Sequence, residues 1–112
     1  MKSEQQIASP DLCRWFRPLG ITKKSAYWWI YTNDGWMLTD EDHGEFCAYT
    51  LAELAEITKE INDASPLPYC DNGEWYWDSG TDFFVSATEA DAIARRAVYI
   101  LRKQKGVDFE IR

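Results

Sequence analysis

Between Ser25 and Thr32 the chain reads Ser-Ala-Tyr-Trp-Trp-Ile-Tyr-Thr, and Asn33, Asp34 and Gly35 follow directly. Side chains this aromatic and β-branched suit a pleated strand, where neighbours leave on opposite faces. Asn, Asp and Gly tolerate positive φ, so the triplet predicts a hairpin loop returning into a second strand at Trp36–Thr39. The chain is therefore committed to antiparallel sheet within its first forty residues.

The same chemistry recurs later. Phe46–Tyr49 adds a short strand, Leu67–Cys70 begins another that turns at Asp71-Asn72-Gly73, and Glu74–Asp78 and Phe83–Ser86 complete the set around Ser79-Gly80-Thr81-Asp82. Elsewhere the period changes from two to about 3.6. Ser9-Pro10 predicts a short helix over residues 10–17 that docks through Leu12, Trp15 and Phe16 and stops at Pro18 and Gly20. Thr50-Leu51-Ala52-Glu53 is a capping box, and Leu51, Leu54, Ile57 and Ile61 form the stripe of the helix it opens. The last helix begins at Thr88, carries Glu89 and Asp91 in its first turn and runs to about Gln104. Its stripe is Ala90, Ile93, Ala94, Ala97, Ile100 and Leu101, small enough to lie close against a sheet. Ala64–Pro68 reads as a linker.

These elements predict one α+β domain over residues 1–112, with residues 1–8 and 107–112 frayed. The expected architecture is an antiparallel sheet of four to six short strands with two or three helices packed on one face. A chain of 112 residues can bury a core without disulfides or a metal. With 46% apolar and 15% aromatic residues, it is composed like an ordered protein. No stretch approaches the roughly 18 apolar residues of a membrane span, and the first ten residues lack a signal-peptide core. The expected location is the cytoplasm.

Charge is unevenly distributed. Residues 1–39 carry net +2, residues 40–91 carry fourteen acidic groups against one basic, and residues 92–112 carry net +4. A surface dominated by carboxylates argues against wrapping duplex nucleic acid, which needs phosphate neutralisation. It suits a partner with a basic surface. On the last helix, Arg95 and Arg102, with Arg96 and Lys103, line one side. This row either meets an anion or is a solvated face.

Catalytic chemistry is hard to assemble from this chain. Cys13, Cys47 and Cys70 are odd in number and widely spaced, with His43 the single histidine, so they read as reduced, buried or half-buried thiols. A nucleophile and base pair would need His43, which lies in an acidic loop. That loop, Asp40-Glu41-Asp42-His43-Gly44-Glu45, fails the EF-hand pattern because its glycine comes one position early. Glu74 and Asp78 flank Trp75-Tyr76-Trp77 in a way that suits a sugar-cleaving cleft, but spacing on one strand says nothing about a second carboxylate facing them, and a domain this small offers little room for such a cleft. No phosphate loop or nucleotide fingerprint is present, so no catalytic residue, metal or cofactor is expected.

The contact candidates are Asp40, Glu41, Asp42 and Glu45 in the loop, and Trp75 and Trp77 on the strand. Helices on one side of a sheet leave aromatic side chains open on the other, and such a patch suits a protein contact. Covering helices or a homodimer would hide it instead, and sugar stacking on exposed Trp is a further alternative.

Taken together, Ser9–Cys13, Leu19-Gly20-Ile21, Ser25–Trp29, Tyr49–Leu54, Trp75-Tyr76 and Thr88–Ala94 resemble a group of small uncharacterised proteins of bacterial phages, prophages and related mobile elements. The resemblance spans roughly residues 9–105 and departs at Asp40–Glu45 and in the tail. It implies a fold and brings no catalytic residues. The expected function is therefore that of a non-enzymatic accessory protein acting through protein contacts, with a basic host protein as partner. An acidic inhibitor that imitates nucleic acid is the sharper form of that expectation; a carbohydrate-binding module is the alternative.

Overall fold

The computed structural model describes residues 6–61 and 63–106. The elements run α1 (Pro10–Cys13), β1 (Tyr27–Thr32), β2 (Gly35–Thr39), β3 (Phe46–Ala48), α2 (Leu51–Ile61), β4 (Tyr69–Asp71), β5 (Glu74–Asp78), β6 (Phe83–Ser86) and α3 (Glu89–Lys105). The α+β class is as expected, but the strands do not form one sheet. They form two antiparallel sheets of three, ordered β2-β1-β3 and β4-β5-β6. The division falls at α2 and the linker after it, which carry the chain away from the first sheet before the second begins.

Both predicted hairpins are present. Trp29 pairs with Leu38 and Tyr31 with Trp36, closing a turn of Asn33 and Asp34, with Gly35 already inside β2. The β4–β5 turn is Asn72-Gly73, whose φ values of 56° and 81° lie in the left-handed region that these residue types enter at low cost.

Helix α3 is the hub, packing against α1, α2, β5 and β6. Its small residues Ala90, Ala94 and Ala97 are fully buried and let Leu54 and Ile57 of α2 approach closely. The second sheet sits on α3 through rings: Trp77 stacks on Phe84 at 5.7 Å, and Tyr99 meets the two edge-on at 5.3 and 5.6 Å. The first sheet joins the same core through Trp29, Phe46 and Cys47, beside the buried Phe16–Tyr49 pair. No helix among the described residues is long and apolar enough to cross a membrane.

The helix ends explain several differences from expectation. At α2 the capping box forms in both directions: the Thr50 amide donates to Glu53 Oε1 at 2.9 Å and the Glu53 amide to Thr50 Oγ1 at 3.3 Å. The same carboxylate accepts from Ser25 Oγ and the Ala26 amide, tying α2 to the entry of β1. Helix α1 is shorter than residues 10–17, because turns take over at Arg14, and its Ser9 side chain does not cap. Instead the Ser9 amide donates to Asp91 Oδ1 at 2.7 Å, fixing α1 to the start of α3.

Residues 6–8 are not frayed. The Leu51 amide donates to Gln6 O and the Ala90 amide to Gln6 Oε1, both at 3.0 Å, so one residue supplies acceptors to the first turns of two helices. Residues 1–5 and 107–112, the rest of the expected frayed ends, lie outside the described residues.

Candidate functional site

Alternation along β5 sends Trp75 and Trp77 to one face of the second sheet and Tyr76 to the other. The tryptophans face inward. Trp77 is 2% exposed, and its indole N–H donates to Pro66 O at 2.7 Å. Trp75 is half-buried on the same face. Trp77 therefore offers no platform to a partner or a sugar: the larger rings were drawn to α3, where Tyr99 completes the cluster.

The opposite face holds what the sequence reading passed over. Tyr69, Tyr76 and Phe83 come from three successive strands, and their rings stack in a row at centroid distances of 5.7 Å. The register produces the row, since Tyr69 lies opposite Tyr76 and Phe83 is diagonal to it, opposite Asp78. Tyr69 is 53% exposed, Phe83 58% and Val85, beside Tyr76, 43%. Leu67 adds exposed apolar surface just before β4. The clue available in the sequence was the partition itself: once the two tryptophans turn inward, Tyr76 must turn out.

Asp71, Glu74 and Asp78 stand exposed on β4 and β5, on the same face as Tyr76. Between Lys59 and Arg95 the chain contains no lysine or arginine, so nothing in this segment offsets them. Tyr76 Oη donates to Glu74 Oε1 at 3.2 Å. Partial loss of hydration raises the Tyr76 pKa, and Glu74 adds to the effect, so the hydroxyl stays a donor. The result is an aromatic strip bordered by negative charge.

The four loop acids sit elsewhere. Asp40, Glu41, Asp42 and Glu45 are all exposed between β2 and β3, in the first sheet, whereas Trp75 and Trp77 belong to the second. Glu41 is paired with His43 at 3.0 Å, and the Glu45 amide donates to Trp29 O at 2.7 Å. Among the described residues, no three His, Cys, Asp or Glu side chains converge as a metal site requires. The cysteines divide by depth: Cys13 is buried, Cys47 half-buried and Cys70 exposed, the last contrary to expectation. The basic row on α3 also divides. Arg96 turns inward to the Ala64–Pro68 linker, while Arg95 and Arg102 remain on the α1 side.

No family model, curated protein or solved structure matches the chain. What the site can do is read from its geometry. A flat row of stacked rings with an acidic border has donors and acceptors only at its margin, and it is suited to holding another surface.

Proposed function

We propose that this protein acts by protein–protein contact, without catalysis, and that the outer face of the β4–β5–β6 sheet docks a basic segment of its partner. The observation that carries the reading is the exposed Tyr69–Tyr76–Phe83 row within a stretch that has acids and no lysine or arginine. Arginine is the complementary chemistry. Its guanidinium plane stacks on tyrosine and phenylalanine rings while its N–H fork reaches carboxylates such as Glu74 and Asp78. A second copy of the chain is a poorer occupant, because a symmetric contact would bring two acidic borders together. The reading agrees with a small accessory protein of a phage or mobile element that engages a basic host protein, including one whose basic surface normally holds nucleic acid.

The test is an NMR titration of isotope-labelled protein with an arginine-rich octapeptide. Saturable shifts confined to residues 69–85, weakened about tenfold between low and moderate salt and abolished in Tyr76→Ala/Phe83→Ala, are expected. Shifts centred on Asp40–Glu45, or binding that ignores the double substitution, would reject the sheet face. Concentration-dependent dimerisation lost in the same double variant would replace the partner with a second copy.

A further inference from the structure

On the far side of the second sheet, a cleft of about 440 Å³ opens between α1, β6 and α3. Its α3 wall consists of Arg95, Val98, Tyr99 and Arg102, the spacing that places residues on one helix face. Leu12 and Trp15 form the α1 side, and Phe84, on the face of β6 opposite Phe83, forms the sheet side. The volume lies within the range of about 300–1,000 Å³ usual for small-molecule sites, and the lining is mainly apolar with a few polar groups. No step of the docking proposal uses it.

Two arginines lie over its rings. The Arg102 guanidinium sits 4.4 Å from the Trp15 ring centroid, and that of Arg95 5.7 Å from Phe84. Arg95 Nε is enclosed and has no hydrogen-bond acceptor among the described residues, and Arg95 makes no ion pair among them. The enclosed Nε is out of a ligand's reach, but Arg95 as a whole is half-buried and makes no hydrogen bond or ion pair among the described residues, so the rest of its guanidinium is left to an oxyanion in the cleft. Asp82 also lines the cleft, but its Oδ2 accepts from Tyr99 Oη at 2.8 Å, placing that carboxylate at the Tyr99 side.

We propose that the cleft binds a small planar aromatic oxyanion, its ring against Trp15, Val98 and Phe84 and its charged oxygens on Arg95. The apolar lining recognises the ring system, and the arginine fork recognises a carboxylate, sulfonate or phosphate. A neutral aromatic would gain the first contribution without the second, and an aromatic cation would be repelled.

Fluorescence titration of the full chain with anilinonaphthalene sulfonate tests this, with neutral phenylnaphthylamine as the uncharged counterpart. One saturable site is expected for the sulfonate. Arg95→Gln should weaken it about tenfold or more while changing the neutral probe less than about twofold. Arg95→Lys, which keeps charge but loses the fork, should fall between, and Arg17→Gln should match wild type. Circular dichroism melts confirm that each variant is folded. Displacement by naphthoate and by naphthyl phosphate then separates the two natural oxyanion types. Equal losses for both probes in Arg95→Gln, wild-type titration of that variant, or binding removed by Phe83→Ala instead would overturn the proposal.

Discussion

Arg96 and Trp77 share one acceptor: the carbonyl oxygen of Pro66 receives Arg96 Nε at 3.0 Å and Trp77 Nε1 at 2.7 Å. Arg96 adds bonds to Ser65 O at 2.7 Å and Asp63 O at 3.2 Å, so a buried guanidinium holds the linker between α2 and β4. Burial lowers the Arg96 pKa, with Asp63 pulling it back up, and the group stays charged. The two donors come from α3 and β5, so one backbone oxygen joins the last helix, the second sheet and the linker.

A double-mutant cycle should reveal this sharing. Trp77→Phe keeps an aromatic ring and loses one donor, and about 1–2 kcal/mol of stability should go with it. Arg96→Met removes three bonds and should cost about 2–3 kcal/mol. Each single variant leaves Pro66 O one partner, whereas the double variant leaves none. Urea denaturation should therefore show the double variant falling below the sum by about 0.5–1 kcal/mol; strict additivity would mean that the shared oxygen couples nothing.

At Gly44 the constraint is space. A Cβ there would stand 2.6 Å from Trp28 Cβ and 2.9 Å from Trp29 O, neither of which can swing aside. Gly44→Ala should cost about 2 kcal/mol, because the β2–β3 loop must lift off β1. Asp42→Ala, in the same loop and exposed, should stay within about 0.5 kcal/mol of wild type. Equal melting temperatures for the two variants would show that the loop's close approach has no energetic weight.

Alkaline pH should destabilise the fold through Cys13. Its thiol donates to Ala8 O at 3.3 Å, and burial raises its pKa from 9.0 to about 12. The unfolded chain then loses the proton at lower pH than the folded one, so stability is complete below pH 9 and falls as pH rises towards 12. The slope should be about 1.4 kcal/mol per pH unit. Tyr49, raised chiefly by burial, acts in the same direction at higher pH. Cys13→Ala should flatten the decline measured by melts at successive pH values, and an unchanged slope would remove Cys13 as its source. With Ellman's reagent at neutral pH, exposed Cys70 should react first and Cys13 only on unfolding.

Local signals carried much of this fold. Thr50 and Glu53 announced α2 because their reciprocal bonds span three residues, and Gly35, Asn72 and Gly73 marked their turns through left-handed conformations they tolerate without help. The division into two sheets was not legible, because strand periodicity reports faces and says nothing of which strands meet. Nor was the choice between Trp75/Trp77 and Tyr76 as the inner set: both alternatives are aromatic, and Tyr99, on another element, decides it. Arg96 was misread for the same kind of reason. Its basic neighbours suggested a solvated row, while the three carbonyls that hold it come from the distant segment 63–66.

The position of α3 has a consequence during synthesis. A translating ribosome delivers α1, both sheets and the linker before it delivers the helix against which α1, α2, β5 and β6 pack. Until that helix emerges, the inward rings of Trp77 and Phe84 and the apolar stripe of α2 lack the helix face they pack on. The core thus closes only after α3 has left the ribosome, whatever has formed before it.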